Sequence, residues 1–282
     1  MTRALRFQWL RDSRNSASLG YRLVDRLRLG AYHLGIAFAG GHHLPPPPRV
    51  VAKLAPDGHE VTIRGSGELS VLHDILVCGE YRPSGDPKVI FDIGANVGFA
   101  TLFFRRRYPE ARIVAVEADP GTYQRLVRNV GGLPDVTLLN RALAGADGPV
   151  TFHSSPGSIN SSLARRSNAD TAVEVPGRRL QTLMDETRTT RIDLLKLDIE
   201  GAEFEALAGA PLDRVGELIA EIHHDLGGGD EQTVRELLSG FELRFEPPSS
   251  PDRYLVYARQ PAGAQKKPRE EHRPAASTPT VR

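Results

Sequence analysis

The chain has 282 residues, 40% of them apolar and 25% charged, a size and balance that suit one substantial core with terminal additions. Its 36 Lys and Arg offset 35 Asp and Glu, so no global field draws in nucleic acid or an anionic membrane, and partners must be read from local sites. The single cysteine, Cys78, excludes an intrachain disulfide and every Cys-rich zinc spacing, and a reducing, cytoplasmic setting is expected.

Residues 1–48 read as a helical extension followed by a stiff linker. Arg residues alternate there with Leu23, Leu27, Tyr32 and Ile36, and Pro45 to Pro48 impose an extended segment that no helix crosses. Packing of this helix on its own domain is preferred over docking to a partner or a membrane surface. Its most apolar stretch, Leu29 to Gly40, falls short of the roughly 20 residues that span a bilayer and lacks a cleavage pattern, so neither a membrane span nor export is expected.

Residues 49–88 read as a hairpin and a helix preceding the core. Val50 to Leu54 and Val61 to Arg64 flank the turn Pro56-Asp57-Gly58, and Leu69 to Val77 follows as a helix. From 89 to 259 short apolar runs recur at Val89–Ile93, Ile113–Val116, Val136–Leu139, Ile192–Leu197 and Leu218–Ile222, each short enough for a strand buried on both faces. Helical stretches at Gly98–Tyr108, Pro120–Val130 and Asp230–Leu238 separate several of them, which makes a mostly parallel sheet economical. Phe241–Phe245 and Tyr254–Ala258 lie close enough in sequence to form an antiparallel edge pair.

Between Leu143 and Arg191 the pattern predicts strands at Val150–His153 and near Ala172–Val175, a Ser-rich loop from Ser154 to Ser162, and a helix over Leu180–Glu186, all able to cover a substrate. Residues 260–282 lack the apolar content of a core and read as a disordered tail.

The strongest local signal is Val89-Ile-Phe-Asp-Ile-Gly-Ala-Asn-Val-Gly98, a strand, a Gly-containing turn and a helix start. Gly94 and Gly98 allow close backbone approach, and the helix N-terminus offers free N–H groups to a carboxylate. Asp92 would repel a pyrophosphate, and Asn96 stands where a dinucleotide fingerprint wants a second close glycine; a sulfonium bearing an α-ammonium group tolerates both. Glu117, ending the next strand, is placed to accept hydrogen bonds from two ribose hydroxyls. These residues point to S-adenosylmethionine rather than a nicotinamide dinucleotide.

A second cluster, Arg191-Ile-Asp-Leu-Leu-Lys-Leu-Asp-Ile-Glu-Gly-Ala-Glu203, brings Lys196, Asp198, Glu200 and Glu203 to a strand's C-terminal end, where open α/β sheets bind ligands. These side chains are expected to face a ligand, with a structural salt bridge from Lys196 to one of the acids as the alternative. With Phe91–Gly98, Val116-Glu-Ala-Asp-Pro120, Asn140-Arg-Ala-Leu143 followed by Asp147-Gly148, Leu194–Glu203 and Glu221-Ile-His223, the chain resembles the FkbM-type methyltransferases over residues 50–258. The upstream Arg64-Gly-Ser-Gly and Gly79-Glu-Tyr81 belong to the same resemblance.

That resemblance implies an α/β class I methyltransferase fold: a Rossmann-like, seven-stranded, mostly parallel sheet with an antiparallel edge pair and helices on both faces. It implies S-adenosyl-L-methionine as cofactor and a hydroxyl of a small molecule, such as a polyketide, sugar or lipid-linked glycan, as acceptor. By it, Asp92, Gly94, Asn96 and Gly98 hold the methionine part, Glu117 the ribose, Ala142 and Asn140 lie by the adenine, and Asp198 sits near the sulfonium or acceptor. The chain has Glu117-Ala118 where members often have Glu-Pro, which leaves the ribose contact intact.

By residue type, His223 is the expected general base, with Asp198 and Glu200 as further catalytic positions and Glu203 beside them; a structural hydrogen bond from His223 to Glu221 or a loop carbonyl is the alternative. His224 should face away from it. No metal is expected, because Asp198, Glu200 and His223 sit on separate strand ends without the short spacings of a local metal motif. No basic stripe with interleaved aromatics argues for nucleic acid, and Arg105-Arg106-Arg107 reads as a solvated helix end. The competing functions are a cofactor- or partner-binding protein without catalysis and an NAD-dependent oxidoreductase.

Overall fold

A computed structural model of the chain describes residues 13–42, 49–154, 171–223, 230–250 and 253–261. Seven strands form the central sheet, in the spatial order 242–250, 253–259, 215–223, 192–197, 89–93, 112–117 and 136–140. They are β3 (Val89–Ile93), β4 (Arg112–Glu117), β5 (Val136–Asn140), β9 (Ile192–Leu197), β10 (Val215–His223), β11 (Glu242–Ser250) and β12 (Arg253–Arg259). The first five run parallel, and β12 lies antiparallel between β10 and β11. The expected antiparallel pair is therefore at the sheet edge, with both strands longer than their apolar runs.

Chain order explains where a ligand site must lie. From β3 the sheet grows outward to β4 and β5 on one side and, after a long excursion, to β9 and β10 on the other. The connections leave in opposite directions beyond the C-terminal ends of β3 and β9 and open a crevice there, the topological switch point of an open α/β sheet.

Apolar residues cover both faces, as strands buried on two sides require. One cluster packs Ile90, Ile113 and Ala115 under Phe104 and Leu102 of the Phe99–Arg107 helix and Leu126 of the Pro120–Val130 helix. The other packs Phe91, Val114, Leu195 and Leu218 under Leu183 of the Leu180–Glu186 helix and Val234 of the Glu231–Leu237 helix. The Pro120–Val130 helix starts where local chemistry tells it to: Pro120 sits at its first turn and Asp119 accepts a hydrogen bond from Thr122 N at 2.7 Å.

The segment before the sheet adds to the first face. β1 (Val50–Leu54) and β2 (His59–Ile63) form the expected hairpin, in the register Val50↔Ile63. The helix Leu23–His42 packs on it through buried Leu29 and Tyr32, while Asp25 accepts from Lys53 N and the Tyr32 hydroxyl accepts from Gly65 N at 2.6 Å. Among its described side chains, one side of that helix is used. Leu23 and Leu27, four residues apart on the outer face, are 73% and 64% exposed, whereas Tyr32 and Ile36 pack inward. The following helix begins earlier than its apolar run, at Gly65–His73, and ends in a π-turn over Asp74–Cys78 closed by Gly79 in the left-handed region at φ 72°.

A second, three-stranded sheet stands over the β4–β5 edge. β8 (Thr171–Arg178) pairs with β6 (Ala142–Leu143) on one side and β7 (Gly148–Ser154) on the other. Both strands expected between Leu143 and Arg191 are present in it; the Ser-rich loop beyond Ser154, the Pro45–Pro48 linker, His224 and the tail after 261 lie outside the described residues. No helix among the described residues is long and apolar enough to cross a membrane.

Candidate active site

The crevice above β3 and β9 is held together by one buried lysine. Asp92 and Lys196 are direct partners across the two strands, and Lys196 Nζ lies 3.4 Å from Asp92 Oδ1 and 3.7 Å from Asp198 Oδ2. It also donates to Gly94 O at 2.7 Å and Ile93 O at 3.3 Å. The lysine thus pairs with two acids rather than one and ties the C-terminal ends of both strands together. Burial opposes its charge, but Asp92 and Asp198 outweigh it and hold its pKa above the ordinary lysine value.

Gly94, at φ 71°, is demanded by this junction as much as by any ligand: a Cβ there would lie 1.7 Å from Asp198 O. Gly98, at φ 95°, serves packing, since its Cβ would meet Leu126 and Val130 at 2.9 Å. Asp92 is fully buried and accepts from Thr101 Oγ1 at 2.6 Å.

Two cavities open on either side of the turn. The first is a narrow crevice whose lining includes Gly94, Asn96, Glu117, Ala142, Phe152 and Asp198. Glu117, 7% exposed, accepts from Asn96 N at 2.9 Å and Asp119 N at 2.8 Å, and burial pushes its pKa up to about 7 despite these bonds. Asn140 braces the crevice from behind, its Nδ2 donating to Glu117 O and Ala118 O at 2.8 and 2.9 Å. Of the predicted cofactor residues, Gly94, Asn96, Glu117, Ala142 and Asp198 line this crevice; Asp92, Gly98 and Asn140 support it from outside.

The second cavity, of about 440 Å³, is walled by Val71, Ile75, Tyr81, Phe99, Glu221 and His223, among others. The two cavities share Gly94, Asn96, Asp198 and Glu200. The two cavities therefore adjoin at those four residues.

His223, at the end of β10, is 3% exposed. Its Nδ1 lies 3.2 Å from Glu203 Oε1 and its Nε2 3.3 Å from Glu200 Oε2. Burial acts against its charge, but the Glu203 hydrogen bond and the charges of Asp198 and Glu200 overcome it and raise its pKa to about 9. The alternative bond to Glu221 is not made; Glu221 instead pairs with Arg253 at 2.6 Å, and burial together with the Asp198 charge raises it to about 8. The three expected catalytic positions, His223, Asp198 and Glu200, are brought together: their ligand atoms lie within 4.8 Å of one another. Sequence spacing hid this because β9 and β10 are parallel neighbours whose C-terminal ends meet.

Two further positions join this cluster: Tyr81, which carried no role of its own in the sequence reading, and Glu203, which stood there only as a runner-up base. Tyr81 sits with its hydroxyl 3.4 Å from both Asp198 Oδ2 and Glu221 Oε2 and its ring 5.3 Å from Lys196 Nζ. Glu203, read as a spare acid, is fully buried and orients His223, also accepting from Gly201 N at 3.0 Å. No local signal marks either pairing, for the partners lie 117 and 20 residues away.

A seven-stranded sheet, parallel except for β12 inserted between β10 and β11, with an acid ending the strand beside β3, is the class I methyltransferase fold. The chain belongs to the FkbM methyltransferase family: the model described as "Methyltransferase FkbM domain" matches residues 92–246. Among its relatives, the 31-O-demethyl-FK506 methyltransferase FkbM of Streptomyces tacrolimicus is 28% identical over 65% of this chain and 84% of its own length. The 2-O-methyltransferase NoeI of Sinorhizobium fredii is 31% identical, over 44% of this chain and 57% of its own. The AMB antimetabolite synthetase AmbE of Pseudomonas aeruginosa is 28% identical over 74% of this chain, which spans only 12% of that protein.

Proposed function

We propose that this chain transfers a methyl group from S-adenosylmethionine to a hydroxyl of a small molecule, the acceptor being a polyketide, sugar or lipid-linked glycan. The observation that carries the reading is the meeting of a narrow crevice lined by Asn96, Glu117 and Ala142 and a 440 Å³ cavity at Gly94, Asn96, Asp198 and Glu200. Two relatives whose names state O-methylation support it. A cytoplasmic location is part of the same reading, consistent with a lone free cysteine.

The residues present fit the cofactor. Asn96 Oδ1 and Asp198 Oδ1 are closed to solvent and have no hydrogen-bond partner, as acceptors awaiting an ammonium group would be. Glu117 would accept from the ribose hydroxyls, Ala142 and Phe152 would flank the adenine, and Gly94, Asn96 and Asp198 would hold the methionine part. Asp92 and Gly98 would fix the turn from below, and Asn140 would fix Glu117 and Ala118. Bound there, the cofactor supplies an electrophilic methyl carbon on a sulfonium.

The chain's own task is placement: holding an acceptor oxygen in line, roughly 3 to 3.5 Å from that carbon, converts a bimolecular displacement into a positioned one. Asp198, Glu200 and His223 then form the polar end of the acceptor cavity, in which the charged His223 orients the two carboxylates and a carboxylate receives the hydroxyl proton. Val71, Ile75 and Phe99 would supply the apolar part of that cavity's lining.

Calorimetric titration of adenosylhomocysteine into the wild type and Glu117→Ala, with NAD as control ligand, tests the reading. Micromolar binding weakened at least tenfold by the substitution is expected, since a hydrogen bond to a charged group contributes roughly 1.5 to 3 kcal/mol. Absence of binding, or preference for NAD, overturns it.

A further inference from the structure

We propose that the outer face of the Leu23–His42 helix docks on the surface of an anionic lipid bilayer and sets the wall of the acceptor cavity beside it. Only the reference to an acceptor rests on the function proposed above; the docking surface itself does not.

The apolar side chains left in solvent are not scattered. Five of the eight large apolar side chains exposed among the described residues fall between Tyr21 and Leu34, a clustering that single, incidental exposures do not produce. At 3.6 residues per turn, Leu23, Val24, Leu27, Ala31 and Leu34 share an arc of about 100°, and all five are exposed. The opposite arc, Leu29, Tyr32 and Ile36, packs on the protein's own core. The helix is thus apolar on two sides, and its own domain covers one of them.

Charge names the occupant of the other. Arg26 and Arg28 edge the outer arc on its two sides, and Arg14 and Arg22 stand exposed on the chain leading into it. Arg26 Nε donates to Gly20 O at 3.2 Å, and Arg28 lies 3.8 Å from Asp25. Asp25, the acid of this helix, is buried and accepts from Arg22 N and Lys53 N, so no exposed carboxylate on the helix opposes an anionic surface. The whole chain is nearly neutral, at +1, so the attraction is local to this face. An apolar arc edged by arginines is the pattern of a helix lying among lipid headgroups, its guanidiniums meeting phosphates while their stems cover apolar surface. A second copy of the chain would bring the same arginines against one another, which charge disfavours. Gly65 N donates to the Tyr32 hydroxyl at 2.6 Å, and the Gly65–His73 helix carries Gly67, Ser70 and Val71 into the lining of the 440 Å³ cavity. The docking helix therefore packs against an element that walls that cavity.

The test is flotation of the full chain with vesicles of phosphatidylcholine alone and of phosphatidylcholine with about 30% phosphatidylglycerol. Binding to the anionic vesicles is expected, at least about tenfold weaker when Leu23→Glu and Leu27→Glu, or Arg26→Gln and Arg28→Gln, are combined. Val127→Glu, at an exposed apolar position on the Pro120–Val130 helix, should leave it unchanged. Circular dichroism melts check that the variants fold. An environment-sensitive fluorophore attached at Leu27→Cys in a Cys78→Ser chain reads the face directly: it should report water without vesicles and shift to the blue on anionic ones. No binding, equal binding to neutral vesicles, binding indifferent to the Leu23 and Leu27 substitutions, or loss in Val127→Glu overturns the proposal. A fluorophore already shielded without vesicles, as a second copy or another part of the chain over this face would leave it, overturns it too. Adenosylhomocysteine binding measured on the same sample separates the two readings: its retention without vesicle binding removes only the docking surface, and vesicle binding without it removes only the cofactor.

Discussion

Gly94→Ala tests the reasoning most sharply, because the structure separates two costs that a glycine substitution usually mixes. Gly94 has φ 71°, and its added Cβ would lie 1.7 Å from Asp198 O, a backbone atom that no side-chain rotation can move aside. Gly65 has nearly the same backbone, φ 76°, but nothing within 4 Å of its Cβ, and Gly240 has neither a positive φ nor a neighbour. Gly240→Ala should therefore be neutral to within about 0.5 kcal/mol, and Gly65→Ala should cost the left-handed penalty of roughly 1–2 kcal/mol. Gly94→Ala carries that penalty plus the separation of β3 from β9, which loosens the Asp198 N to Ile93 O bond and the Lys196 bond to Gly94 O. A total of about 4 kcal/mol or more is expected, in the range reserved for a named structural fault. Urea unfolding of the three variants, followed by circular dichroism at matched pH, measures the series. Equal destabilisation by Gly65→Ala and Gly94→Ala would refute the close-approach argument, and retention of wild-type adenosylhomocysteine affinity in a folded Gly94→Ala would refute the placement of the crevice.

Glu117 predicts a pH dependence with a definite sign. Its pKa, pushed up to about 7 by burial, lies above the unfolded value of 4.5, so its contribution to stability is full below 4.5 and lost as pH rises through 7. Thermal melts should show Glu117→Gln costing less at pH 8 than at pH 5, by up to about 3 kcal/mol. Ribose hydroxyls require the ionised acid, so calorimetric affinity for adenosylhomocysteine should fall as pH drops below 7 in the wild type and stay flat in Glu117→Gln. Lys196→Met leaves Asp92 buried without its cation and should cost about 3–5 kcal/mol, with Asp92→Asn in the same chain recovering part of it; additive losses in the double variant would contradict the pairing.

How much of this was legible without coordinates varied with the range of the interactions involved. The Pro120–Val130 helix, the Leu180–Glu186 helix and strand Ile192–Leu197 have the bounds that their residues imply. Their signals are local: a capping Asp119, a Pro in the first turn, an apolar run of strand length. The crevice residues were legible too, because Gly94, Asn96 and Glu117 carry distinctive side-chain chemistry next to strand ends. Less legible was which of them touch the cavity: Asp92 and Asn140 face the protein, and their work is to brace Lys196 and Glu117.

What the chain order of residues determined by itself is the alternation of strands and helices and the kinds of group at each strand end, since both follow from period and residue type within a dozen positions. Only the tertiary structure decided which strand ends are neighbours. Asp92 meets Lys196 because β3 and β9 pair across 104 residues, and His223 meets Glu200 and Glu203 because β10 lies beside β9. Strand adjacency is settled by burial of the whole sheet between two helical layers, a cooperative outcome that no local pattern encodes, and the site is assembled from those adjacencies.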